Sequence, residues 1–168
     1  QCRRPLWFMS ESLTCSPAAT SAPTDRISLR AGPLTMIFED GDLRYIKLGE
    51  REIIRRIYAA VRDRNWGTVP GQISDFQASV APDRFQISYL STHRHDEIHF
   101  AWRAEITGQA DGAIRFTFDG EARTTFLRNR IGFCVLHPAA CAGMRCVVER
   151  GAGPTAEVLF PRLVEAAQ

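Results

Sequence analysis

The stretch EIHFAWRAEIT, residues 97–107, decides the fold. Ile98, Phe100, Trp102, Ala104 and Ile106 alternate with His99, Arg103 and Glu105. Successive side chains of a strand point to opposite faces, so this period of two predicts a strand with one apolar face and one wet face. Working outward, RFQISYL repeats the pattern with Phe85, Ile87 and Tyr89, and AIRFTFDG repeats it with Ile114, Phe116 and Phe118. Half-buried strands of this kind belong to antiparallel sheets. Turn signals separate them at Ala81-Pro82-Asp83, from Gly108 to Gly112, and at Asp119-Gly120. Upstream, Asp40-Gly41 divides LTMIFE from LRYIKL, a hairpin cue because glycine accepts positive φ. Gly49-Glu50 offers a further turn. Repeated short strands with such punctuation predict an all-β antiparallel β-sandwich.

One segment is ambiguous. REIIRRIYAAVRDRNW places Ile53, Ile54, Ile57, Tyr58 and Val61 at helical spacing, yet it also reads with a strand period. Its neighbours are strands, so the expectation is strand. Residues 1–27 are rich in Ser, Thr, Pro and Ala without a sustained period, and read as a disordered or artefactual leader. The sandwich is expected over 28–162, with 163–168 as a truncated tail.

Bulk properties set the outer limits. The chain has 168 residues, enough for one domain with a sizeable core. Hydrophobic residues make up 45% and charged residues 24%, as in ordinary globular proteins. A net charge of +2 gives no reason to invoke nucleic acid. No stretch approaches the roughly 20 apolar residues that span a bilayer, so no membrane partner is expected. Of 21 basic residues only Lys47 is a lysine. That bias has two readings: coding preference, or guanidiniums that grip carboxylates through their planar fork. The five cysteines are an odd count and form no disulfide framework, so a reducing cytoplasm is the expected compartment.

Candidate chemistry gathers in a few places. RNRIGFCVLH, residues 128–137, joins Cys134 and His137 to Cys141 and Cys146 further on. These are zinc-compatible ligand types. In a strand, however, Cys134 and His137 lie three positions apart and point to opposite faces, so neither a metal site nor a thiol–imidazole pair is expected. A core strand with a polar entrance is the simpler reading. STHRHDEIHF would align His93, His95, Glu97 and His99 on one face if it were one strand, but it begins where a turn breaks the pattern. AVRDRNWGT is the densest polar-aromatic patch. Arg62, Asp63, Arg64, Asn65 and Trp66 read either as an exposed turn or as a ligand rim, with Trp66 stacking on a sugar and the arginines holding a carboxylate. Arg128, Asn129 and Arg130 offer the same style of group. There is no phosphate loop, dinucleotide glycine pattern or G-x-S-x-G elbow. Catalytic residues stay unassigned, and no metal or cofactor is expected.

The segments AGPLTMIFEDGDLRYIKLGEREIIRRIYAAVRDRNWGTVP and FDGEARTTFLRNRIGFCVLHPAACAG carry a resemblance. Over about residues 28–161 the chain resembles the N-terminal region of D-apionate lactonase-like bacterial proteins. The resemblance implies a supersandwich similar to galactose-mutarotase-like domains, cytoplasmic sugar-acid catabolism, and hydrolysis of D-apionolactone to D-apionate. It also implies a central barrel-like domain in a longer chain, where most catalytic groups are expected. Two functions follow. In one, the chain is the accessory β-sandwich of a sugar-lactone hydrolase, with Arg62, Asp63, Arg64, Asn65, Trp66, Arg128, Asn129, Arg130 and His137 lining a ligand rim or a domain interface. In the other, it is a stand-alone carbohydrate-binding or mutarotase-like module, which needs an acid and a base facing one pocket.

Overall fold

The computed structural model describes residues 26–149, 151, 153 and 155–162. The expected leader lies outside this range apart from Arg26 and Ile27, and so does the expected tail at 163–168. Eleven strands follow in order: β1 (Ile27–Ala31), β2 (Leu34–Glu39), β3 (Asp42–Leu48), β4 (Arg51–Asp63), β5 (Gly71–Val80), β6 (Phe85–His95), β7 (Ile98–Gly108), β8 (Ile114–Ala122), β9 (Arg128–Leu136), β10 (Arg145–Val148) and β11 (Ala156–Leu159). A 3₁₀ turn at Ala139–Cys141 lies between β9 and β10. The first sheet runs β1-β2-β3-β4-β9 and the second β5-β6-β7-β8, while β10 and β11 form a separate hairpin. Every pairing is antiparallel. The expected all-β antiparallel sandwich is the observed architecture.

The core forms where the two apolar faces meet. Phe38, Leu43, Ile46 and Val61 of the first sheet are buried, as are Ile87, Tyr89, Trp102, Ala104 and Ile106 of the second. Each large apolar side chain buried in this way contributes about 1.5–3 kcal/mol. Rings join the layers, with Phe38 centred 5.6 Å from Phe76 and 6.0 Å from Tyr89. The Tyr89 hydroxyl crosses between sheets and donates to the Gly41 carbonyl at 2.7 Å. Burial and the nearby Asp42 charge push the Tyr89 phenol up, so it is a neutral donor at any ordinary pH. The β2–β3 turn is the expected one: Asp40 has φ 51° and Gly41 φ 82°, the pair of positive values that a tight hairpin turn requires.

The ambiguous segment is a strand. β4 pairs with β3 along one side and with β9 along the other. Two partners fix its backbone in a ladder, whatever helical spacing its apolar residues show.

Three features depart from the sequence reading. Asp119-Gly120 is not a turn; both residues lie within β8, opposite Arg103 and Trp102. A Cβ at position 120 would stand 2.5 Å from Phe100 Cζ and 2.8 Å from Phe118 Cε1, so this glycine serves close ring packing. β5 is a ten-residue strand that shows no alternation. Asp75 there has φ 51° and the register shifts between Ser74 and Gln77, so Ile73 and Phe76, three positions apart, both pack on the core. Finally, β9 is the margin of its sheet rather than a core strand. None of its residues is buried, because only β4 pairs with it.

Candidate functional site

The Trp66 loop is built by Asp63. The Asp63 Oδ1 accepts from the Asn65 amide at 2.7 Å and the Gly67 amide at 2.8 Å. The Asp63 amide donates to the Gly67 carbonyl at 2.9 Å. A carboxylate that accepts its own backbone two residues on sets a tight local turn. The turn holds Trp66 at φ 68°, with the side chain 45% exposed. Asp63 is therefore committed to the loop.

Next to the loop, β4 and β9 place Arg62 directly opposite Arg130, and Tyr58 opposite Cys134. Like charges facing each other across a ladder repel. Here the two guanidiniums diverge. Arg62 donates to Thr68 Oγ1 at 2.8 Å and to the Trp66 carbonyl at 3.3 Å. Arg130 lies over the Trp66 ring, 5.8 Å from its centroid, within reach of a cation–π contact. Arg62, Trp66, Arg130, Tyr58 and Cys134 thus line one open groove of about 600 Å³, together with Phe133, Val135 and Leu136. The lining contains neither a carboxylate nor an imidazole.

The other candidates lie elsewhere. Asp63, Arg64 and Asn65 border a small cleft of about 170 Å³ with His95, Asp96 and Glu97. Arg128 lines a third depression with Phe100, Arg123 and Thr124. Asn129 is exposed on β9. His137 packs on Phe160, with ring centroids 4.7 Å apart. So three of the nine candidates meet in one groove, and no acid–base pair assembles among them.

The histidine-rich stretch is split by the β6–β7 hairpin. His93 ends up in the core at 5% exposure, while His95 and His99 sit on different strands at the turn. The His93 Nε2 accepts from the Trp102 indole N–H at 3.0 Å, which leaves Nδ1 to donate to the Val69 carbonyl at 2.8 Å. Burial pushes its pKa below the ordinary histidine value, against the pull of the Val69 carbonyl. Among the described residues no cluster of metal-ligating side chains forms, and Cys134, Cys141 and Cys146 are unpaired thiols.

Sequence reasoning missed the most buried carboxylate among the described residues. Asp42 is 5% exposed and pairs with Arg56 at 2.6 Å and Arg44 at 3.0 Å. Burial raises its pKa, opposed by the two guanidiniums. Asp42 belongs to the turn that reads as a hairpin, and no spacing rule links it to Arg56 fourteen residues on.

The fold and the groove define a β-sandwich module with a guanidinium–indole rim at one margin. A match to known families makes this specific: the family described as D-apionate lactonase, N-terminal domain, matches residues 16–168. The chain belongs to that family. A relative named D-apionate lactonase, from Brucella anthropi, is 32% identical over 139 residues. The alignment covers 82% of this chain and 23% of the relative, so the chain spans about a quarter of the protein it matches. No solved structure matches the chain. No helix among the described residues is long and apolar enough to cross a membrane.

Proposed function

We propose that this chain is the accessory N-terminal β-sandwich of a sugar-acid lactone hydrolase, the reaction being the opening of D-apionolactone to D-apionate, and that it does not catalyse alone. Residues 28–162 are the folded module, working in the cytoplasm, and its β9 margin is the seat for a central domain of a longer chain.

One observation carries this reading. Among the described residues, eleven large apolar side chains are at least 40% exposed; three are Leu48, Trp66 and Val80, and the other eight lie between Leu127 and Leu159. They include Phe133, Val135 and Leu136 on β9 and Val147, Val158 and Leu159 on the β10–β11 hairpin. Apolar exposure concentrated on one segment, with a polar rim, is the pattern of a surface that another structure covers. Arg62, Trp66 and Arg130 then form the polar border of that interface. The stand-alone mutarotase-like alternative needs an acid and a base in one roomy pocket; the Trp66 groove offers neither, and the cleft where His95 meets Asp63 and Glu97 holds only about 170 Å³, with Asp63 engaged by its own loop.

The test is base uptake at constant pH when the purified 168-residue chain is incubated with D-apionolactone. The expected result is the rate of buffer alone; clear turnover overturns the accessory reading.

A further inference from the structure

Away from the Trp66 groove, a second and larger groove of about 850 Å³ opens across β1 to β4 of the first sheet and is bordered by Val80, Ala81 and Pro82 at the end of β5. Its charged lining is Arg30, Lys47 and Arg55 against the single carboxylate of Glu52, a local balance of three positive charges to one negative. The only lysine of the chain stands here. Tyr45 supplies an aromatic wall, and the Arg55 guanidinium lies 5.3 Å above its ring. Arg55 also holds Glu52, Nε to Oε1 at 2.7 Å, in an alignment that leaves that buried oxygen without a proper hydrogen bond.

The backbone is distorted at this groove. Tyr45 has φ 53°, a left-handed conformation that is strained for an aromatic residue and persists only where the surroundings impose it. Register shifts interrupt both neighbouring ladders at the same place, between Thr35 and Ile37 on β2 and between Ile46 and Lys47 on β3. Bulges re-aim side chains, and they gather next to binding sites. Here the irregularity at Tyr45 lets Leu43 and Ile46, three positions apart, both face the core, while Tyr45 and Lys47 both line the groove.

We propose that this groove binds a small polyhydroxylated carboxylate of the aldonate type. The carboxylate pairs with Arg30 and Lys47, the hydroxyls meet Glu52 and Thr35, and the carbon chain rests against Tyr45. Separated cations with one fixed acceptor suit a ligand that is anionic at one end and hydroxylated along its length. The choice of an aldonate rests on the lactonase reading; the position of the groove does not.

The experiment is a titration of the 168-residue chain, followed by backbone amide NMR. D-gluconate and D-apionate are the anionic probes, D-glucose is the uncharged probe and acetate the carboxylate without hydroxyls. At least one aldonate is expected to shift the amides of Thr35 and Lys47 saturably, with D-glucose and acetate at least about tenfold weaker. The double variant Arg30→Gln, Lys47→Gln, at exposed or half-exposed positions, is expected to weaken the aldonate about tenfold or more while its amide spectrum stays folded. Arg145→Gln, remote and 82% exposed, is the control expected to bind as the parent does. The proposal is overturned if neither aldonate gives saturable shifts, if D-glucose binds equally well, or if the double variant binds unchanged. None of these readouts involves turnover, so they fail or succeed separately from the base-uptake assay.

Discussion

The indole N–H of Trp102 donates to Nε2 of His93 at 3.0 Å inside the sandwich core. The bond requires an unprotonated Nε2, so the folded state holds His93 neutral. Ser91 Oγ stands 3.1 Å from the same nitrogen, which makes this a small buried polar network rather than a lone histidine.

The network predicts acid sensitivity. His93 has a folded pKa depressed by burial, whereas the unfolded chain takes up a proton near the usual value of about 6.5. The unfolded state therefore binds more protons as pH falls below that value, and stability declines until the depressed folded pKa is reached. Urea unfolding at pH 7.5 and pH 5 checks this. His93→Gln is expected to be less stable at pH 7.5 by about 1–3 kcal/mol but to show a flatter pH dependence between the two conditions; an unchanged slope contradicts the assignment.

Gly108 lies against the Phe85 ring in the core. A Cβ there would stand 2.2 Å from Phe85 Cε1 and 2.9 Å from Ala31 Cβ. Gly108→Ala is expected to destabilise by about 1–3 kcal/mol through overpacking, read as a lower denaturation midpoint at constant slope.

Asp42 neutralises two guanidiniums from a site that is nearly closed to water. Asp42→Asn leaves Arg56 without its paired carboxylate and Arg44 with Glu39 alone, 3.2 Å away. Both arginines keep partial solvent access, which moderates the cost to about 1–2 kcal/mol. Thermal unfolding at low and high salt checks it: the loss is expected to shrink at high salt, where the two cations are screened.

The apolar margin gives a surface prediction. Leu136→Lys with Val147→Lys is expected to lower binding of an apolar dye and any concentration-dependent self-association. Stability is expected to stay within about 0.5 kcal/mol, since both side chains are 40% exposed or more. A large loss of stability means that these side chains serve the module's own core.

Much of the fold was legible from period and turn chemistry. β6 and β7 alternate, β8 turns Ile114, Phe116 and Phe118 toward the core, and Asp40-Gly41 marks a turn with the conformation its residues prefer. β5 was not legible, because the bulge at Asp75 resets which side chains face inward. Asp119-Gly120 misled because glycine serves close packing as well as it serves turns. The candidate rim was legible in part: Arg62, Trp66 and Arg130 do meet, since β4 and β9 carry matching motifs in register. The larger groove was not legible at all. Its residues come in twos and threes from four strands and the end of β5, and its geometry depends on irregularities that no spacing rule encodes.

The pairing of β4 with β9 also has a consequence in time. The whole second sheet lies in sequence between these two strands. Every other pairing within the two main sheets joins consecutive strands, and such local hairpins close quickly. During synthesis the β1–β4 meander emerges before the second sheet and waits with an unpaired edge until the chain has made β5 through β8 and returned. The strand that closes the first sheet is thus the one that carries exposed apolar side chains, so closing the module and completing that margin are the same late event.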